Sequence, residues 1–233
     1  MTHKSLFVRS LAIAAALLAS SVSHATLVIY TNQASFLSAV TTPGIDTFTG
    51  FSISGTTTSP INRTAGSYTY TASSSSSSST SSFFGAGTVA NPWLSTNGAF
   101  DTILFNNFGA GVSAIGGLFF GSDILGNFLA GKSISITADD NNSSPVTQLI
   151  TNSTTGSFLG FISDGLITSL SVTAVQTEGQ AFVWPTVDNL TLAGRGSVPE
   201  QGTVPEPGTL VLAATAFGLM GAAARRRKAK QTT

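Results

Sequence analysis

Eleven short strand-like runs, most separated from the next by Gly, Pro, Asn or Asp, constrain the fold of this chain more than any other feature. They fall at 27–30, 45–53, 67–72, 89–94, 100–105, 114–120, 133–138, 146–151, 158–162, 166–175 and 187–192. Alternation is clearest in Ser133-Ile134-Ser135-Ile136-Thr137, and again where Ile167, Ser169, Ser171 and Thr173 oppose Leu166, Leu170 and Val172. A period of two places one face in a core and the other in water, which is the grammar of antiparallel strands. The expected fold is therefore all-β, an antiparallel β-sandwich of jelly-roll kind. One short helix is predicted near its start, where Thr31-Asn32 can cap a turn that carries Ala34, Leu37 and Val40 on one face.

Two segments depart from strand grammar. Residues 71–82 are almost pure Ser and Thr, with little apolar surface to offset the entropy of ordering, and are expected to form a mobile loop; O-glycosylation is the functional alternative. Residues 194–204 contain Gly194, Gly196, Pro199 and Gly202 and are expected to be a flexible linker.

Both ends of the chain carry targeting grammar. Lys4 and Arg9 precede a short apolar stretch over 11–18, and Ser23-His24-Ala25 is a small-x-small cleavage site, so residues 1–25 are read as a secretory signal peptide cut after Ala25. At the other end, Pro205-Glu206-Pro207 can neither continue a helix nor complete a sheet ladder and stays extended. The uncharged run 209–224 follows; as a helix it would span about 24 Å, against a hydrocarbon core of about 30 Å. Arg225, Arg226, Arg227, Lys228 and Lys230 close the chain and would be retained in the cytoplasm, which puts everything before Pro205 on the far side of the membrane.

This tripartite order resembles the PEP-CTERM sorting signal of exported bacterial proteins. Pro205, Glu206 and Pro207 match its motif, the apolar run its transmembrane segment, and Arg225, Arg226 and Arg227 its basic tail. The resemblance implies an exosortase as partner, transient retention in the inner membrane by a single C-terminal transmembrane sorting helix, cleavage near the motif, and release to the cell surface or exopolysaccharide matrix. The expected organisation is a signal peptide (1–25), a β-sandwich (26–193), a linker (194–204) and the sorting signal (205–233). The segment Trp184-Pro185-Thr186-Val187-Asp188-Asn189-Leu190 also resembles the closing strand of such proteins and of jelly-roll carbohydrate-binding modules, which implies a structural calcium role for Asp188.

Without its targeting ends the chain has a different electrostatic character. The whole sequence is formally neutral, but residues 26–204 hold three basic side chains (Arg63, Lys132, Arg195) against nine acidic ones, a net charge of −6. Nucleic acid is therefore not an expected partner, since phosphate binding needs clustered basic surface. Both histidines, His3 and His24, belong to the signal peptide and there is no cysteine, so triads, Cys-His dyads and His-ligated zinc are excluded from the mature protein. A non-enzymatic structural or adhesive domain is the expectation, with a glycan-binding module as the alternative and a carboxylate enzyme behind it. Trp93 and Trp184, each beside a proline, are the candidate glycan contacts, weighed against packing; Asp188 and Asp46, on the last strand and near the first long one, are the candidate calcium ligands.

Overall fold

The computed structural model describes residues 27–75 and 81–196. Fourteen strands and one helix occupy them. In chain order they are β1 (Val28–Tyr30), α1 (Gln33–Ser38), β2 (Val40–Asp46), β3 (Thr56–Thr58), β4 (Ile61–Ala65), β5 (Tyr68–Ser75), β6 (Ser82–Thr88) and β7 (Asn91–Thr96). Then follow β8 (Thr102–Asn106), β9 (Ala114–Ser122), β10 (Ile134–Asp140), β11 (Val146–Ile150), β12 (Phe158–Ile162), β13 (Ile167–Ala174) and β14 (Trp184–Arg195). The fold is all-β, and every pairing between these strands is antiparallel.

The strands form two sheets. One has eight strands in the order β1-β12-β9-β14-β7-β6-β3, with β2 also on β14; the other has six in the order β11-β10-β13-β8-β5-β4. A single buried apolar cluster takes side chains from both: Leu94, Ile115, Phe119, Val187, Leu190 and Leu192 from the first, and Tyr70, Ile103, Phe105, Ile134, Ile136, Leu170 and Val172 from the second. The alternation read at Ile134 and Ile136 is the inward face of β10, whose residues alternate between buried and half-buried.

A second, smaller cluster lies around α1. Asn32 caps the helix, its Oδ1 accepting from the Ser35 amide at 2.9 Å, and Phe36 drops from it onto Phe158, Ile162, Ala114 and Ala193. The expected helix is therefore present, but its buried anchor is Phe36, and Val40 already belongs to β2. Gly160 makes the seat: a β-carbon there would stand 2.6 Å from the Phe36 ring. Hence β9 and β12 are covered on both faces, which explains why their sequences read as continuous apolar runs without alternation.

The Ser/Thr-rich stretch is partly a strand. Thr71–Ser75 continues β5, paired with β4 on one side and β8 on the other, and Ser82 opens β6; residues 76–80 lie outside the described residues. Ladder pairing with β8 along its whole length, and with β4 at Thr71 and Ala72, stabilises this segment, and the small hydroxyl side chains fit where Ser74 is buried. The run expected at 45–53 shortens in the opposite sense. Strand β2 stops at Asp46, whose Oδ1 accepts the Phe48 amide at 2.7 Å and turns the chain, with Phe48 at φ 54°. The expected linker also starts later, because Gly194 and Arg195 pair with Thr41 and Val40 in the sheet.

Candidate functional site

Strand β14 is the hub of the eight-stranded sheet. It pairs with β9 along one edge, and along the other with β7 through Thr186 and Val187 and then with β2 from Leu190 onward. Where the partner changes, the register slips between Asp188 and Thr191, and Asn189 takes a left-handed conformation at φ 52°. Both candidate calcium ligands border this bulge, since Asp46 stands opposite Leu190.

Asp46 is fully engaged. Its Oδ2 accepts from Arg63 Nε at 2.6 Å and from the Tyr70 hydroxyl at 2.7 Å, and its Oδ1 accepts from Arg63 Nη2 and the Phe48 amide, both at 2.7 Å. The Arg63 guanidinium also lies 5.0 Å from the Phe51 ring centre and 5.5 Å from that of Phe48. Burial raises the Tyr70 phenol pKa far above its ordinary value, and the Asp46 charge adds to the shift. Burial opposes the Arg63 charge, but the hydrogen bond and charge of Asp46 outweigh it and raise that pKa. Asp46 is therefore half of a bidentate ion pair that ties β2 of one sheet to β4 and β5 of the other, and its lone pairs face protein donors instead of an open coordination site.

Asp188 has different surroundings. It is 4% exposed; its Oδ1 makes no hydrogen bond among the described residues, and Asn189 Nδ2 reaches Oδ2 only at 3.4 Å. Burial raises its pKa, against the opposing effects of the Asn189 backbone and the Asn91 side chain. A carboxyl whose folded-state pKa is raised contributes stability below its unfolded pKa of about 3.9 and loses that contribution as pH rises through the folded value. Asp188→Asn should accordingly raise the midpoint of thermal unfolding at pH 7 by about 2–4 °C, the shift expected for roughly 1 kcal/mol in a domain of this size. The gain should vanish near pH 4, and a midpoint that falls at pH 7 would show that the charge is needed.

The other acidic turns are closed on themselves. Asp123 accepts from the amides of Leu125 and Asn127 at 2.9 and 2.8 Å, and Asp140 accepts from the Asn142 and Ser143 amides and the Ser143 and Ser163 hydroxyls. Burial alone would raise both carboxyls, yet these hydrogen bonds hold both below the ordinary carboxylate range. Among the described residues no group of three or more His, Cys, Asp or Glu side chains is placed to hold a metal ion.

The tryptophans are split. Trp93 stands edge-to-face on Phe120, centres 4.9 Å apart, with Phe128 beyond it. It is a packing residue of the outer sheet face. Trp184, at the start of β14, donates its Nε1 to the Asn97 carbonyl at 3.3 Å and is half-buried. Near it in the chain lies an exposed aromatic pair: Phe100 and Phe182, 68% and 56% exposed, are 5.3 Å apart at 65°. The Gln176 side chain clamps the loops that carry them, donating Nε2 to the carbonyls of Ala99 and Val183 at 2.8 and 2.7 Å and accepting the Val183 amide at 3.1 Å. A signal was available for Phe182, which follows Thr177-Glu178-Gly179 outside any strand-like run, whereas Phe100 opens the run 100–105. Tyr68 and Tyr70, which share a strand face, are both buried.

Pro205, Glu206, Pro207, Arg225, Arg226, Arg227 and the cleavage residue Ala25 lie outside the described residues. For the C-terminal group the comparison with known proteins is informative. No curated protein and no solved structure matches the chain. A family model described as the PEP-CTERM protein-sorting motif, however, matches residues 203–228, which include the Pro-Glu-Pro tripeptide, the apolar run and the arginine cluster. The chain thus carries a PEP-CTERM protein-sorting motif C-terminal in sequence to its all-β residues, and that motif implies export and recognition by exosortase.

Proposed function

We propose that the mature protein is a non-catalytic structural or adhesive component of the cell surface or exopolysaccharide matrix, its two sheets forming a jelly-roll-like β-sandwich. The sorting motif over 203–228 carries this reading. The charged groups of the domain support it. Asp46 and Arg63 are spent on joining the sheets, Asp123 and Asp140 on closing turns, and residues 26–204 contain neither His nor Cys. In this reading residues 209–224 cross the inner membrane once, and the basic tail stays in the cytoplasm until exosortase cuts near Pro205.

Intact-mass measurement on protein isolated from the native host's cell-surface and medium fractions tests it. The expected species begins near Thr26 and ends near Pro205. A surface species that still contains Arg225, Arg226 and Arg227 would rule out processing at the motif. A glycan-binding role is the second reading, favoured by the exposed Phe100–Phe182 pair.

A further inference from the structure

We propose that the end of the domain bearing Phe100, Phe182, Val175 and Trp184 is a binding tip for a neutral polysaccharide chain. This rests on the reading of the protein as displayed outside the cell.

The strand registers locate the tip. Val28 of β1 aligns through Ile162 and Ala114 with Ala193 near the end of β14, so the first described residues and the last, Gly196, lie at one end of the eight-stranded sheet. Gly196 is held there by its amide N–H, which donates to the Ala39 carbonyl at 3.2 Å. Trp184, at the other end of this twelve-residue strand, is about 35 Å away at roughly 3.3 Å per residue. Phe182 precedes Trp184 by two residues, and Asn97, which accepts the Trp184 indole N–H, opens the turn that carries Phe100. Val175 follows β13 directly and donates its amide to the Ser133 carbonyl at 2.9 Å. These rings therefore lie at the end of the sheet opposite Gly196.

Three observations select the occupant. The rings are fixed before binding, because the Gln176 clamp and the Trp184–Asn97 hydrogen bond join the two loops, so little ordering entropy remains to be lost. The exposed apolar area is small: with about 200 Å² per phenylalanine, the two rings and Val175 (40% exposed) offer roughly 300 Å². A stable protein interface needs about 800 Å² from each partner. Finally, the tip has no surplus of positive charge. Lys132 Nζ is held by Gln180 Oε1 at 2.8 Å, and the exposed Glu178 on the same loop, Asp101 beside Phe100 and Asp123 after the Trp184-paired Ser122 carry the opposite sign, so no field favours an anionic polymer. Exposed rings framed by neutral amides fit the apolar faces and hydroxyl rims of uncharged sugars.

Affinity electrophoresis of the processed full-length mature protein through gels containing hydroxyethylcellulose, galactomannan or dextran, with alginate as the charged counterpart, tests the assignment. Retardation by at least one neutral polymer is expected. The double variant Phe100→Ala/Phe182→Ala should weaken it about tenfold, the effect of losing two ring contacts, while Phe100→Tyr/Phe182→Tyr retains it. Both pairs are exposed, so the unfolding midpoint should stay within a few degrees of the parent. The proposal is overturned by no retardation in any neutral gel, by retardation in alginate alone, by equal retardation of the alanine variant, or by a dimer in sedimentation that the alanine variant abolishes. Retardation by a protein whose tail is never processed would leave the tip assigned and remove only the surface reading; a processed, exported protein that migrates freely would do the reverse.

Discussion

Asp46→Ala lowers the unfolding free energy of the mature protein by about 3–5 kcal/mol, a large share of the 5–15 kcal/mol typical of a whole domain. The cost arises because the substitution strands its partners. Arg63 Nε and Nη2 and the Tyr70 hydroxyl all converge on this one carboxylate, and the Phe48 amide depends on it to turn the chain after β2. An arginine left half-buried between Phe48 and Phe51 without its counter-ion is worse than no arginine at all. The double variant Asp46→Ala/Arg63→Met should therefore recover part of the loss, since an uncharged stem can still cover those rings. Urea titration of the parent, both single variants and the double variant supplies the cycle. A single Asp46→Ala loss below about 1 kcal/mol would place the pair among ordinary surface bridges and sink the account.

Converting Arg225, Arg226 and Arg227 to glutamate has the largest expected effect on the protein's fate. In the proposed reading the uncharged run 209–224 crosses the membrane, for which it is barely long enough, so that its orientation would depend on the cations behind it. Without three of the five, retention of the tail in the cytoplasm is lost and the motif is no longer presented to exosortase on the correct side. Full-length precursor should replace the processed species almost completely. Replacing Pro205, Glu206 and Pro207 together by alanine should also block cutting, but with the tail still anchored, so that precursor collects in the membrane fraction. Immunoblots of fractionated host cells separate the two outcomes; normal processing of either variant would contradict the corresponding role.

Much of the fold could be read from local pattern, and the exceptions share a cause. The strand 158–162 matches β12 in both bounds, and 133–138 and 166–175 match β10 and β13 to within about two residues, because alternation or a short apolar run flanked by turn residues reports burial directly. Strands β3, β4 and β6 and most of β2 escaped notice. Gly85 and Gly87 of β6 and Pro43 and Gly44 of β2 read as turn residues, while the exposed Thr and Asn positions of β3 and β4 carry little hydrophobic signal, and pairing with β6 and β5 holds them. Strand β5 runs into serines for the same reason.

For the candidate sites the division is sharper. Pro205-Glu206-Pro207 and the arginine cluster are contiguous, so their chemistry is complete in the linear sequence, and the match over 203–228 bears on those same residues. Asp46, Arg63 and Tyr70 are ordinary residues in the sequence; closure of two sheets makes them an ion-paired joint, and no periodicity encodes that contact. Asp188 shows both sides. Its place in a closing strand could be read in advance, whereas the burial of its carboxylate, with Oδ1 lacking a hydrogen bond among the described residues, follows from the exchange of β7 for β2 along β14. Phe100 and Phe182 are 82 positions apart, and nothing in the sequence joins them. Local alternation and turn chemistry thus determined the fold class and the sorting address, and long-range strand pairing decided which polar groups meet and which rings face water.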